Sequence, residues 1–265
     1  MKIFNIINEE DGICTGVLLY YEKEKTFIIE LAPELDEWSA PLLLSAFIKR
    51  REFTIPREIS RLWVQERIIP SGRQNISSIL STHRLKSYDE IRFLELSEGR
   101  CIQDSLFIQK TDHLPDYVLL RQQKNLLDCC PLEDNDILCF FADDSTKKIR
   151  LSELEQTGEL EKIRKNKALF RSGKTGTGGY YMTFDDVYDI SASALYSAGT
   201  SIPLSLKDFL SFFRKNILDT SETCKVLGCS RQNLSYMIKQ NRLTPVKENV
   251  KGTLFCRGNI LQNQW

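Results

Sequence analysis

The sequence predicts an α+β chain of more than one domain, and three observations carry that prediction. Period-two alternation marks strands at 13–20, 25–31 and 136–151, while helical spacing of apolar residues marks 38–51, 57–69, 160–170 and 222–240. A length of 265 residues exceeds one typical domain. Charge is also unevenly placed. The chain is neutral overall, yet residues 205–265 hold ten Lys/Arg against four Asp/Glu, so an excess of +6 at the C-terminus faces −6 in the rest. The expected organisation is an N-terminal mixed α/β unit at 1–110, a small α+β unit at 111–203, and a basic C-terminal unit at 204–265.

In the first unit, residues 1–31 read as a hairpin. Its strands are 13–20 and 25–31, joined by Glu22-Lys23-Glu24 and stopped by Pro33. A helix over 38–51 would bury Leu42, Leu43, Ala46 and Phe47, and Lys49-Arg50-Arg51 suits the negative end of its dipole. Pro56 opens a second helix over 57–69, Pro70-Ser71-Gly72 closes it, and 74–81 forms a third. Residues 87–97 and 101–109 are expected to pair as a hairpin around Glu98-Gly99-Arg100. The stretch 57–109 would then run helix, turn, helix, hairpin. Its Arg73-Gln74-Asn75 triplet recurs at Arg231-Gln232-Asn233, at the start of another second helix. Two readings fit: a second nucleic-acid-contacting unit using Arg73, Gln74, Asn75 and Ser78 with Arg61 and Arg67, or a structural helical pair.

The middle unit begins after a linker at His113-Leu114-Pro115. Strands at 136–141 and 146–151 flank the turn Ala142-Asp143-Asp144-Ser145. An amphipathic helix over 160–170 follows, then strands at 178–184 and 187–190 and a helix at 191–198. Gly-Lys-Thr at 173–175 invites a phosphate-loop reading, but Ala168 stands where the first glycine of that loop belongs. The stretch also precedes a strand, so no helix N-terminus would face a phosphate; a flexible loop is the expectation. The runs Phe140-Phe141-Ala142-Asp143-Asp144-Ser145, Ile149-Arg150-Leu151, Phe184-Asp185-Asp186-Val187-Tyr188-Asp189-Ile190 and Ser193-Ala194-Leu195-Tyr196 resemble a small bacterial α+β family of unknown function, often encoded beside putative toxins. That resemblance implies a protein-interaction module without catalytic residues.

The C-terminal unit opens with a helix at 204–215, whose Phe209, Leu210, Phe212 and Phe213 can pack within the unit or zip two subunits together. A helix at 222–227, capped by Ser221, ends at Gly228, a residue suited to the left-handed conformation. Ser230 caps the next helix, 231–240. Val226, Leu227, Leu234, Met237 and Ile238 are spaced to face inward. Arg231, Gln232, Asn233, Ser235, Tyr236 and Lys239 are left outside. Arg, Gln and Asn can bond base edges bidentately, and Ser, Tyr and Lys suit phosphates. Residues 243–246 and 253–255 read as a hairpin with Lys247 and Lys251 near its tip, placed to touch phosphates.

Val226-Leu227-Gly228-Cys229-Ser230, the Arg231-Gln232-Asn233-Leu234 start, the exit Ile238-Lys239 to Leu243 and Pro245, and the hairpin together resemble the compact winged helix-turn-helix of the MerR and excisionase type. The resemblance covers 216–262. It implies sequence-specific binding of double-stranded DNA, with the second helix in the major groove.

The remaining residue types narrow the function. His83 and His113 are the only histidines, and no CxxC pair exists among the eight cysteines, so neither a metal site nor a cofactor is expected. Cys129-Cys130 reads as adjacent packing residues, with a redox switch as the alternative. The chain lacks a Ser-His-Asp set and a competent phosphate loop, so an enzyme is not expected. Residues 1–10 show no secretory pattern, and no apolar run approaches a membrane span, so a cytoplasmic protein with reduced thiols is expected. The leading expectation is a transcriptional regulator, a homodimer because paired half-sites are usual, with the first two-thirds as sensing or oligomerisation body. The alternatives are an antitoxin-type protein that binds a toxin and autoregulates its operon, and an excisionase-like factor that bends DNA.

Overall fold

Lys2–Asn8 (β1), Cys14–Tyr21 (β2) and Thr26–Leu31 (β3) pair antiparallel in succession. β2 is buried without a break from Thr15 to Tyr20, which means that both its faces are covered. In the computed structural model, which describes residues 1–36, 40–202, 204 and 206–245, the chain divides into two compact units, Met1–Pro203 and Leu204–Trp265. The fold is α+β.

Leu42–Lys49 (α1), Thr54–Ile55 (β4), Arg57–Gln65 (α2), Ile76–Thr82 (α3) and Glu90–Ser97 (α4) follow, and Leu106–Thr111 (β5) returns beside β1. The sheet order is β4-β3-β2-β1-β5. One face, presenting Leu18, Tyr20, Phe27, Ile29 and Leu31, packs on Leu44, Ile48, Trp63, Val64 and Leu94 of the helices. The opposite parity, Val17, Leu19 and Ile28, packs on Val118, Tyr180 and Tyr181. The period of two thus sorts each strand onto two separate cores.

The expected hairpin at 87–109 is not formed. Residues 90–97 are helical because Asp89 caps the first turn, accepting from the Ile91 amide at 3.2 Å, and Ile91 and Leu94 share a buried face. Glu98, in the left-handed conformation at φ 51°, ends the helix. The stretch 57–109 is therefore three helices and a sheet strand, without a wing. The expected linker at 113–115 is also overturned. Leu114 packs against the core that Val17 and Val118 share.

Beyond it come Asp116–Gln122 (α5), Leu126–Pro131 (β6), Asp136–Phe141 (β7), Thr146–Arg150 (β8), Gly158–Lys165 (α6), Lys167–Arg171 (α7), Lys174–Thr175 (β9), Tyr181–Phe184 (β10), Tyr188–Ser191 (β11), Ala192–Ala198 (α8) and Thr200–Ser201 (β12). Two small sheets, β12-β8-β7-β6 and β11-β10-β9, share a core that includes Cys129, Ile137, Cys139, Phe141, Ile163, Phe170, Met182 and Leu195. The helix expected over 160–170 is two helices. Asn166 leaves the helical region and caps the second, accepting from the Ala168 and Leu169 amides at 3.1 Å each. The Gly-Lys-Thr stretch is not a loop throughout, because Lys174–Thr175 pair as a strand. Lys174 forms β9 and donates to Asp186 at 2.9 Å. Gly179 sits at φ +72°, where a Cβ would stand 2.1 Å from the Leu126 carbonyl oxygen, so only glycine fits.

A buried polar hub ties 1–110 to 111–203. Arg121 Nη1 donates to Glu30 Oε2 at 2.9 Å and to the Leu31 carbonyl at 2.7 Å, and Thr54 Oγ1 donates to the same Glu30 oxygen at 2.9 Å. Burial pushes the Glu30 carboxyl up, and Arg121 pulls it part of the way back. Arg57 adds a 2.7 Å ion pair to Asp189 and lies over the Tyr181 ring.

The second unit contains Leu206–Asn216 (α9), Thr220–Leu227 (α10) and Arg231–Lys239 (α11). Of the expected apolar stripe on α9, Leu210, Phe212 and Phe213 are half-buried, while the side chain of Phe209 lies outside the described ones. Among the described residues no helix is long and apolar enough to cross a membrane.

Candidate nucleic-acid interface

α10 and α11 are set by caps at each end. Asp219, not Ser221, caps α10. Its Oδ1 accepts from the Glu222 amide at 2.8 Å, and Glu222 Oε2 accepts from the Asp219 amide at 2.9 Å, closing a capping box. Released from capping, Ser221 takes another partner: Arg231 Nη2 donates to its hydroxyl at 3.0 Å. At the other end Gly228 adopts φ 61° and ψ 34°, the left-handed conformation that its lack of a Cβ permits. The Gly228 amide donates to the Lys225 carbonyl at 3.3 Å and the Cys229 amide to the Cys224 carbonyl at 3.1 Å, a Schellman turn. Ser230 then caps α11, its hydroxyl accepting from the Asn233 amide at 3.2 Å.

Leu234 is the buried apolar side chain of α11, 6% exposed, with Met237 and Ile238 half-buried beside it. Of the two α10 residues expected inward, Leu227 is half-buried and Val226 is 71% exposed. Arg231, Gln232, Asn233, Ser235, Tyr236 and Lys239 are all exposed. At about 100° per residue, Arg231, Gln232, Ser235, Tyr236 and Lys239 fall within an arc of about 140° centred roughly opposite Met237. Asn233 falls about 60° outside that arc, on the flank toward Met237. The exposed face is therefore a guanidinium, an amide, two hydroxyls and an ammonium in one stripe, with Asn233 at its margin. Across 206–245 seven Lys/Arg outweigh three Asp/Glu. Lys247 and Lys251 lie outside the described residues.

The second Arg-Gln-Asn triplet is placed differently. Arg73, Gln74 and Asn75 are exposed, but they occupy the turn before α3, which begins at Ile76. Arg231, Gln232 and Asn233 instead form the first turn of a helix. The expected companions are engaged elsewhere. Arg61 donates to Glu90 at 2.9 Å. The Arg67 side chain is fully buried, stacked over the Trp63 ring at 3.7 Å, bonded to the Trp63 carbonyl at 3.1 Å and paired with Asp104. The structure thus keeps Arg67 from any nucleic acid and leaves the triplet as a loop.

Two features were not drawn from the sequence. The Ser221–Arg231 bond depends on Ser221 not being the cap, and the signal that decides this was present in Asp219-x-x-Glu222. The meeting of Cys224 and Cys229 depends on the turn geometry. Among the described residues, no group of three or more His, Cys, Asp or Glu side chains is placed to hold a metal ion. Comparison with known proteins finds no match to this chain, whether among family models, curated proteins or solved structures.

Proposed function

We propose that the second unit is a winged helix-turn-helix that binds double-stranded DNA sequence-specifically, and that the chain is a cytoplasmic transcriptional regulator acting as a homodimer. The observation that carries this reading is the polar stripe on α11, projected from a helix whose start and angle are fixed by Ser230 and by the Gly228 turn. In that role Arg231 and Gln232 contact base edges. Ser235, Tyr236 and Lys239, with Lys247 and Lys251, hold phosphates, and Ser230 spends its hydroxyl acceptor on the cap while its hydrogen remains free to donate. Asn233, at the margin of the stripe, reaches bases only at the edge of the footprint. The basic excess of the C-terminal residues against an acidic remainder supports the same assignment. The first unit, with its own cores, is the sensing and partner-binding body.

The test is fluorescence anisotropy of the full chain with labelled duplexes over a salt series. Binding should weaken steeply with salt, log K falling by about 0.9 per phosphate contact for each tenfold rise. Arg231→Ala should cost about 1–3 kcal/mol on the preferred duplex. Lys239→Ala should weaken binding to all duplexes alike and flatten the salt slope by about one phosphate contact. Failure to bind duplex DNA even at low salt would overturn the reading.

A further inference from the structure

The turn between α10 and α11 brings two thiols together. In a Schellman turn the residue just beyond the left-handed glycine contacts the residue three positions before the helix end, and here those two are Cys229 and Cys224. The Cys229 amide bonds the Cys224 carbonyl at 3.1 Å. Covalent bond lengths then keep the two Cα atoms no more than about 7 Å apart, which is about the limit for bridging by a disulfide. Both thiols are free and half-buried, so a small oxidant can reach them. Burial, and after it the neighbouring Cys229 thiol, hold the Cys224 thiol up. The contrast is with Cys129, Cys130 and Cys139, which are all sealed in the first unit's core.

We propose that Cys224 and Cys229 are a redox modification site, forming a reversible intramolecular disulfide that staples the turn between α10 and α11. With hydrogen peroxide as oxidant, one thiolate attacks a peroxide oxygen. The O–O bond breaks, one water leaves, and a sulfenic acid remains. The second thiol attacks that sulfur, the S–S bond forms, the S–OH bond breaks, and a second water leaves. Two thiols give up two electrons and two protons, and peroxide is reduced to two waters. The ring closes over Lys225, Val226, Leu227 and Gly228, so it fixes the segment that sets the direction in which α11 leaves α10. The staple stands on the turn geometry and is independent of whether α11 binds DNA.

Lys225 makes the test direct, because trypsin cuts between the two cysteines. The full chain is treated with hydrogen peroxide, blocked with an alkylating reagent, digested and analysed by mass spectrometry. The expected product joins the peptides 216–225 and 226–231, two hydrogens lighter than their sum, and dithiothreitol separates them. Hydrogen exchange of the 226–231 amides should slow by about tenfold on oxidation. Cys229→Ser, which keeps the size of the side chain, should show neither effect. Recovery of both cysteines as separately alkylated or over-oxidised peptides would overturn the proposal. So would joining of either one to a different cysteine, or equal slowing of exchange in Cys229→Ser.

Discussion

Arginines show how strongly position decides what a residue does. Arg67, Arg121 and Arg231 carry the same guanidinium, yet one is sealed over Trp63, one sits beside a fully buried carboxylate, and one is displayed at the start of an exposed helix. Removing Arg121 leaves Glu30 buried without its partner. Arg121→Ala should therefore cost about 3 kcal/mol, toward the lower end for a broken buried pair because Arg121 keeps some exposure. Urea unfolding at neutral pH measures it. The sign with pH follows from the raised Glu30 carboxyl. A group whose folded pKa is raised contributes its stability below the unfolded value and loses it as pH rises through the folded one. Without Arg121 the carboxyl rises further, so the penalty should be largest at neutral pH and shrink toward about pH 4–5, where carboxylates normally protonate. A loss independent of pH would contradict the burial of a charged Glu30. Sequence could not rank these three arginines, because the carboxylates that pair with Arg67 and Arg121 lie 37 and 91 positions away.

Among the elements, those with strict periodicity or plain caps were legible. The strands at 13–20, 25–31 and 136–151, and the helices around Ser230 and Ser191, stand where the pattern put them. The misreadings have physical causes. β1 was absorbed into a hairpin because Ile6-Ile7 and Ile3-Phe4 run apolar on both faces, as a strand paired on both sides allows. β6 was hidden by Asp128 and Pro131. α4 looked like a strand because Glu98-Gly99-Arg100 reads as a hairpin turn, while the deciding signal was the cap at Asp89. In α10, Asp219 and Ser221 were rival caps, and the reciprocal bond from Glu222 chose Asp219. Asp219→Ala should therefore destabilise α10 by about 1 kcal/mol, whereas Ser221→Ala should leave its helicity unchanged. Circular dichroism and hydrogen exchange over 219–227 distinguish the two, and equal losses would contradict the capping box. At the triplets, Arg73→Ala should leave DNA preference as it is, since its residues lie in a turn and not on a helix face. A base-specific loss in that variant would reinstate a second reading element.

At the scale of the whole molecule, periodicity announced an α+β chain and the placement of charge a basic end, and the division at Leu204 sets that end apart as its own unit. What neither could show is that 1–110 and 111–203 share cores through Val17, Val118 and Tyr180 and through the Glu30–Arg121 pair. Those contacts depend on both faces of one sheet being covered, which a local window does not see. The proposed division of labour is a body that receives a signal or partner and a small basic head that reads a duplex. Its most direct test is selection of binding sites from a pool of random duplexes by the full-length protein, run beside Gln232→Ala. The proposal predicts that the parent enriches one short motif, repeated about a helical turn apart if the protein acts as a dimer, and that Gln232→Ala relaxes a single base position of it. A pool that stays random after selection by the parent protein would contradict it.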